Sequence, residues 1–140
     1  MLKEDVILTH QDCPLEIIGN LAVESEIKTQ LGSNKLGLVS SILEIAIRKI
    51  DFRISIVDIL FNLSVDCFDN NISFGSDLLG PLVELMKVTL ESESHEKALT
   101  RILETFEILC GCASNKQRLT RDTINFVEVL IVCSSDEIQL

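Results

Sequence analysis

Apolar residues along this chain return at three- and four-residue steps. Leu15, Ile18, Leu21 and Ala22 form one such set, Leu36, Val39, Ile42, Leu43, Ala46 and Ile47 a second, and Ile56, Ile59, Leu60 and Leu63 a third. Leu79, Leu82, Val83 and Met86 make a fourth, and Leu99, Ile102, Leu103, Phe106 and Leu109 a fifth. That period puts each set on one face of an α-helix, and strand-like alternation is absent from these stretches. The segment Phe126–Cys133 alone is open to either reading: its β-branched run also suits a buried strand, although its neighbours favour helix. Between the sets, Gly32-Ser33-Asn34 and Gly75-Ser76-Asp77 read as a glycine closing one helix and an Asn or Asp capping the next. Asp69-Asn70-Asn71 and Ser114-Asn115 read as turns, and the acidic stretch Glu91–Glu96 as a solvated loop.

A longer period lies over the short one. "LEIIGNLAVES" at Leu15–Ser25 and "VDILFNLSVDC" at Val57–Cys67 share an apolar-acid start and an Asn-Leu-small-Val-acid finish, and "LETFEILCGCA" at Leu103–Ala113 is a third, looser copy. The first two copies start 42 residues apart and the second and third 46 apart. Periods of about 40–47 residues belong to helical solenoids. The order inside each period also returns: a short helix (Ile27–Leu31, then Asn70–Phe74), a glycine turn, a long helix (Lys35–Lys49, then Leu78–Leu90), and a phrase-bearing helix from about Ile54 and again from about His95.

On these residues the chain resembles the armadillo family. "GNLAVESEIKTQLGSNKLGLVSSIL" and "NLSVDCFDNNISFGSDLLGPLVELM" are similar to its consensus of Asn-Leu-Ala, polar link, glycine turn and Leu-Val-x-x-Leu. The related HEAT repeat usually lacks the short first helix and the glycine turn. The resemblance runs from roughly Pro14 to Val132, about two full repeats with partial ones at both ends. It implies an all-α fold, a right-handed α-solenoid, with residues 1–140 as a single domain. It also implies that the third helix of each repeat lines a concave groove, where the Asn of Asn-Leu hydrogen-bonds the backbone of an extended peptide. Asn20 and Asn62 fall on that position, and Ile108 replaces it in the third copy. Four residues earlier the peptide-binding importin subgroup commonly has Trp, and this chain departs from that pattern with Glu16, Asp58 and Glu104.

The helical wheel supports a groove independently of the family. Asp12, Glu16 and Asn20 share a face opposite Leu15, Ile18 and Ala22, as do Ser55, Asp58 and Asn62 in the next copy. Helices packed side by side would place successive acids about 8–10 Å apart. That is roughly three residues of extended chain, so a partner segment carrying Lys or Arg at that step could meet both. In the third copy Lys97 and Arg101 lie within one or two turns of Glu104 and are placed to neutralise it. Asp12, Glu16, Asn20, Ser55, Asp58, Asn62, Arg101 and Glu104 are therefore the candidate partner-binding residues. The competing view is a merely solvated polar face.

Composition narrows the function further. The 140 residues suffice for one core, and with 46% apolar but 4% aromatic residues that core must be built from Leu, Ile and Val. A formal net charge of −10 argues against nucleic acid and anionic lipid, both of which call for clustered Lys and Arg. Charges at Lys3, Glu4 and Asp5 stand where a signal peptide would be apolar, and no segment suits a membrane span, so a cytoplasmic or nuclear protein is expected. The five cysteines sit mostly in apolar runs and read as core residues; Cys110-Gly-Cys112 alone is too little for a metal site. Neither histidine, His10 nor His95, has nucleophile or metal spacing, so no enzyme, cofactor or metal is expected.

The C-terminal end offers a second class of function. Phe126, Val129, Leu130 and Val132 belong to an apolar set that covers nearly every side of a helix, whereas end units of a solenoid normally carry a polar outer face. That end is expected to meet another subunit, a second copy of the chain or a longer parent polypeptide. The chain then reads as a protein-interaction module working through its groove or, alternatively, as a structural subunit working through its end.

Overall fold

The computed structural model describes residues 13–33, 37–93, 95–121 and 130–131, and all regular structure among them is helical. In chain order the helices are α1 (Cys13–Ala22), α2 (Ser25–Gly32), α3 (Leu38–Arg48), α4 (Arg53–Ser64), α5 (Phe68–Asp77), α6 (Leu79–Leu90), α7 (Glu96–Leu109) and α8 (Ala113–Arg121). A 3-10 turn, Ile50–Phe52, leads into α4. The all-α expectation therefore holds for these residues. Of the ambiguous segment Phe126–Cys133, Leu130 and Ile131 are described and are helical.

Helices three apart in the chain pack on one another: α1 on α4 and α4 on α7, α2 on α5 and α5 on α8, α3 on α6. The apolar stripes account for this. In α7 the buried residues Ala98, Leu99, Ile102, Phe106 and Leu109 form one face, while α4 buries Ile56, Val57, Ile59, Leu60 and Leu63 because α1, α3 and α7 all press on it. Each such side chain fully removed from water contributes about 1.5–3 kcal/mol. The core is mainly aliphatic, as composition demands, with Phe52, Phe74, Phe106 and Met86 buried among the Leu, Ile and Val. Hydroxyls that fall on buried faces bond back into their own helices: Ser64 Oγ donates to Leu60 O at 2.9 Å, and Thr89 Oγ1 to Leu85 O at 2.6 Å.

The asparagines correct the sequence expectation. Asn70 and Asn71 lie in the first turn of α5, which contains the short helix expected over Asn70–Phe74, and Asn115 lies in the first turn of α8, so none of them marks a turn between helices. Asn is a poor helix former because its amide competes for backbone partners. Here that competition is used between helices. Asn70 is buried, and its Nδ2 donates to Lys28 O in α2 at 3.0 Å and to Leu63 O in the last turn of α4 at 2.8 Å. Asn115 repeats the arrangement one step along, donating to Asn71 O at 3.0 Å and Leu109 O at 2.9 Å. The acceptors at Leu63 and Leu109 are last-turn carbonyls with no partner inside their own helices.

Of the two glycine turns, Gly32 closes its helix as expected and Gly75 does not. Gly75 lies inside α5 and Gly32 ends α2, and neither takes a positive φ; among the described residues the left-handed positions are Gly37 (φ 63°) and Asp66 (φ 53°). What Gly32 and Gly75 supply is space. A Cβ on Gly32 would run into the Asn70 amide, and one on Gly75 into the Asn115 amide. Nor does Asp77 cap α6, whose first residue follows Leu78 with no side-chain capping bond; Asn34 lies outside the described residues.

Two buried cations complete the cross-links. Lys28 Nζ donates to Val65 O at 2.7 Å, tying α2 to the end of α4. Arg53, 5% exposed, donates through Nε to Ala46 O at 2.8 Å, through Nη2 to Ile47 O at 3.1 Å and through Nη1 to Ser92 Oγ at 3.0 Å. Burial holds its pKa below the ordinary arginine value, and the negative end of α3 faces the charge. Among the described residues no helix is long and apolar enough to cross a membrane.

Candidate functional site

Side by side, α4 and α7 leave between them an open groove of about 550 Å³ lined by Ile54, Asp58, Glu96, Lys97, Thr100, Arg101 and Glu104. Arg101 stands at its centre. Its Nε donates to Asp58 Oδ1 at 3.0 Å and its Nη1 to Glu104 Oε1 at 3.4 Å. The guanidinium also lies over the Phe61 ring, 4.2 Å from the centroid. The side chains of Arg101, Asp58 and Glu104 are 37%, 48% and 46% exposed, so solvent screens the charges and each pair contributes at most about 1 kcal/mol.

The neutralisation expected at Glu104 is thus present and extends to Asp58. With Glu96 and Lys97 included, three carboxylates face two cations in this groove. Glu16 and Asn20 are exposed on α1 and do not line it; Ser55 and Asn62 are half-buried on α4, and Asp12 lies outside the described residues. So the structure joins Asp58, Arg101 and Glu104 and leaves the α1 residues apart from them. Phe61 was absent from the sequence-derived set, although its position three residues after Asp58 puts it on the same helical face.

Where the third copy replaces the expected Asn with Ile108, the surroundings change character. Ile108 lines a second groove of about 700 Å³ between the start of α5 and the α7–α8 turn, together with the exposed Phe68 and Ile72. Cys67 and Cys112 border it as free thiols. Cys110 is half-buried against the core, and burial pushes its thiol pKa up while Lys116 pulls the other way. Among the described residues no group of three or more His, Cys, Asp or Glu is placed to hold a metal ion. His95 Nδ1 lies 2.8 Å from Ser92 O, beside the start of α7.

At the C-terminal end, Phe126, Val129 and Val132 lie outside the described residues. Leu130 is half-buried and packs against the chain's own core, while Ile131 is exposed. Comparison with protein-family models, with curated proteins and with solved structures returns no match for this chain.

Proposed function

We propose that the chain is an armadillo-like, right-handed α-solenoid acting as a non-enzymatic protein-interaction module, which takes a basic partner segment along the face formed by α1, α4 and α7. The observation that supports it is the packing of α1 on α4 and of α4 on α7, which puts an open polar groove on one row of helices. Repetition at three-helix intervals is what a solenoid requires, since each unit buries its apolar face only against its neighbours. The repeated Asn70 and Asn115 contacts fit the same pattern. A cation-bearing segment suits a chain of net charge −10 whose groove holds Asp58, Glu96 and Glu104.

A fluorescent peptide with two arginines roughly three residues apart tests this reading, since that spacing spans neighbouring helices. Saturable binding is expected, weakening as salt rises because exposed charges are screened over about 8 Å at physiological ionic strength. Charge reversal at Asp58→Lys or Glu16→Lys should weaken it several-fold. Binding indifferent to salt and to both substitutions would place the interface elsewhere. A structural subunit working through its end is the second reading, favoured by the exposed Ile131; apolar association of that kind would persist at high salt.

A further inference from the structure

The Asp58–Phe61–Glu104 cradle is already occupied, and by a residue of the chain itself. A guanidinium held by two carboxylate oxygens at 3.0 and 3.4 Å, above an aromatic face at 4.2 Å, is the environment a partner's arginine or lysine would seek. We infer that this cradle is a binding subsite for a cationic side chain of the partner and that Arg101 fills it in the free protein, so a partner cation binds by displacing Arg101. The inference rests on the groove reading above and adds a ligand class, guanidinium or ammonium, and an internal competitor.

Three features favour exchange over a fixed structural link. All three charged side chains are more than a third exposed, so a competing cation can approach from solvent. The groove beside them is open and is lined by the same Asp58, Arg101 and Glu104. The contacts are individually weak, because exposed ion pairs and exposed cation–π contacts each contribute only about 0.5–1 kcal/mol. Arg53 gives the contrast within the same molecule: its guanidinium is 5% exposed and held on the backbone carbonyls of Ala46 and Ile47.

Removing the internal occupant should expose the subsite. Argininamide, with neutral citrullinamide as control, is titrated into the full chain and followed by NMR shifts at α4 and α7. Arg101→Gln is expected to bind argininamide about tenfold more tightly than wild type, the loss of a competitor whose contacts together amount to one or two kcal/mol. Arg48→Gln, on α3, makes the same change in net charge and should give little gain. Adding Phe61→Leu to Arg101→Gln should remove most of the gain, and citrullinamide should not bind. A gain no larger than that of Arg48→Gln, or one insensitive to Phe61, would overturn the inference.

Wild type supplies an independent readout if Arg101→Gln folds poorly. Saturating argininamide should move the Arg101 Nε–H resonance towards its solvated position, and an unmoved signal would overturn the proposal. The outcome is separate from that of the groove reading, because argininamide occupies a single subsite. Argininamide can enter the cradle of a chain that binds no peptide, and a peptide can bind the groove while Arg101 keeps its place.

Discussion

Replacing Gly75 with alanine is expected to cost about 2–4 kcal/mol, and the same replacement should cost nothing once Asn115 is also alanine. The new Cβ would occupy the space of the buried Asn115 amide, and the helix backbone at Gly75 cannot move away without disturbing α5. Expelling the amide breaks its bonds to Asn71 O and Leu109 O, each worth about 1 kcal/mol net, and crowding a packed site adds about 1–3 kcal/mol, although Leu109 O keeps the Cys112 N–H at 3.2 Å. Asn115→Ala alone should therefore destabilise by a similar amount. In that background Gly75→Ala meets an empty space and gains helix propensity, worth up to about 1 kcal/mol inside a helix. The sign of one substitution thus depends on the presence of the other. Urea unfolding of the four proteins in this cycle measures it, and equal costs of Gly75→Ala in both backgrounds would show that the glycine and the asparagine are not coupled. Gly32 and Asn70 form the equivalent cycle one step earlier in the chain.

The two pairs also show where sequence reading succeeds and where it stops. Helix was legible because burial of one face leaves a one-sided stripe, as in Leu99, Ile102, Phe106 and Leu109. The same period located the face carrying Asp58, Arg101 and Glu104, three of the groove residues that the structure brings together. Asn115 and Gly75 were visible as letters but carried the wrong meaning, and the contacts that Asn70 and Gly32 make between helices were not read at all. Local rules assign Asn and Gly to turns, since those rules weigh only a residue's own backbone. Their function here is set by a carbonyl more than 40 residues away, with Asn70 reaching Lys28 and Asn115 reaching Asn71, and no local pattern encodes that distance. Phe61 was missed for a related reason. A half-buried aromatic on a helix counts as core until a cation from another helix is seen above it.

Arg53→Met should destabilise the chain by about 2–3 kcal/mol, more than the roughly 1–2 kcal/mol that the exposed contacts of Arg101 together contribute. Two effects oppose each other at Arg53. Burying the guanidinium is itself unfavourable, which is why its pKa lies below the ordinary value, and methionine relieves that cost while retaining most of the stem's packing. Against this, the substitution strands the carbonyls of Ala46 and Ile47 at the end of α3, where Arg53 supplies their donors at 2.8 and 3.1 Å. Each stranded carbonyl costs about 1–3 kcal/mol in a buried site, so the loss of donors outweighs the relief of the charge. Ser92 Oγ does not add to the penalty, because it also donates to Val88 O at 2.9 Å. Lysine should recover little, since one ammonium on a flexible stem does not reproduce the planar fork that meets two carbonyls and a hydroxyl together. Thermal unfolding checks this as a fall in Tm of roughly 5–12 °C for Arg53→Met, at a few degrees per kcal/mol for a chain of this size. A variant as stable as wild type would mean that the end of α3 rearranges to satisfy its own carbonyls and that Arg53 does not hold α3, α4 and the loop after α6 together.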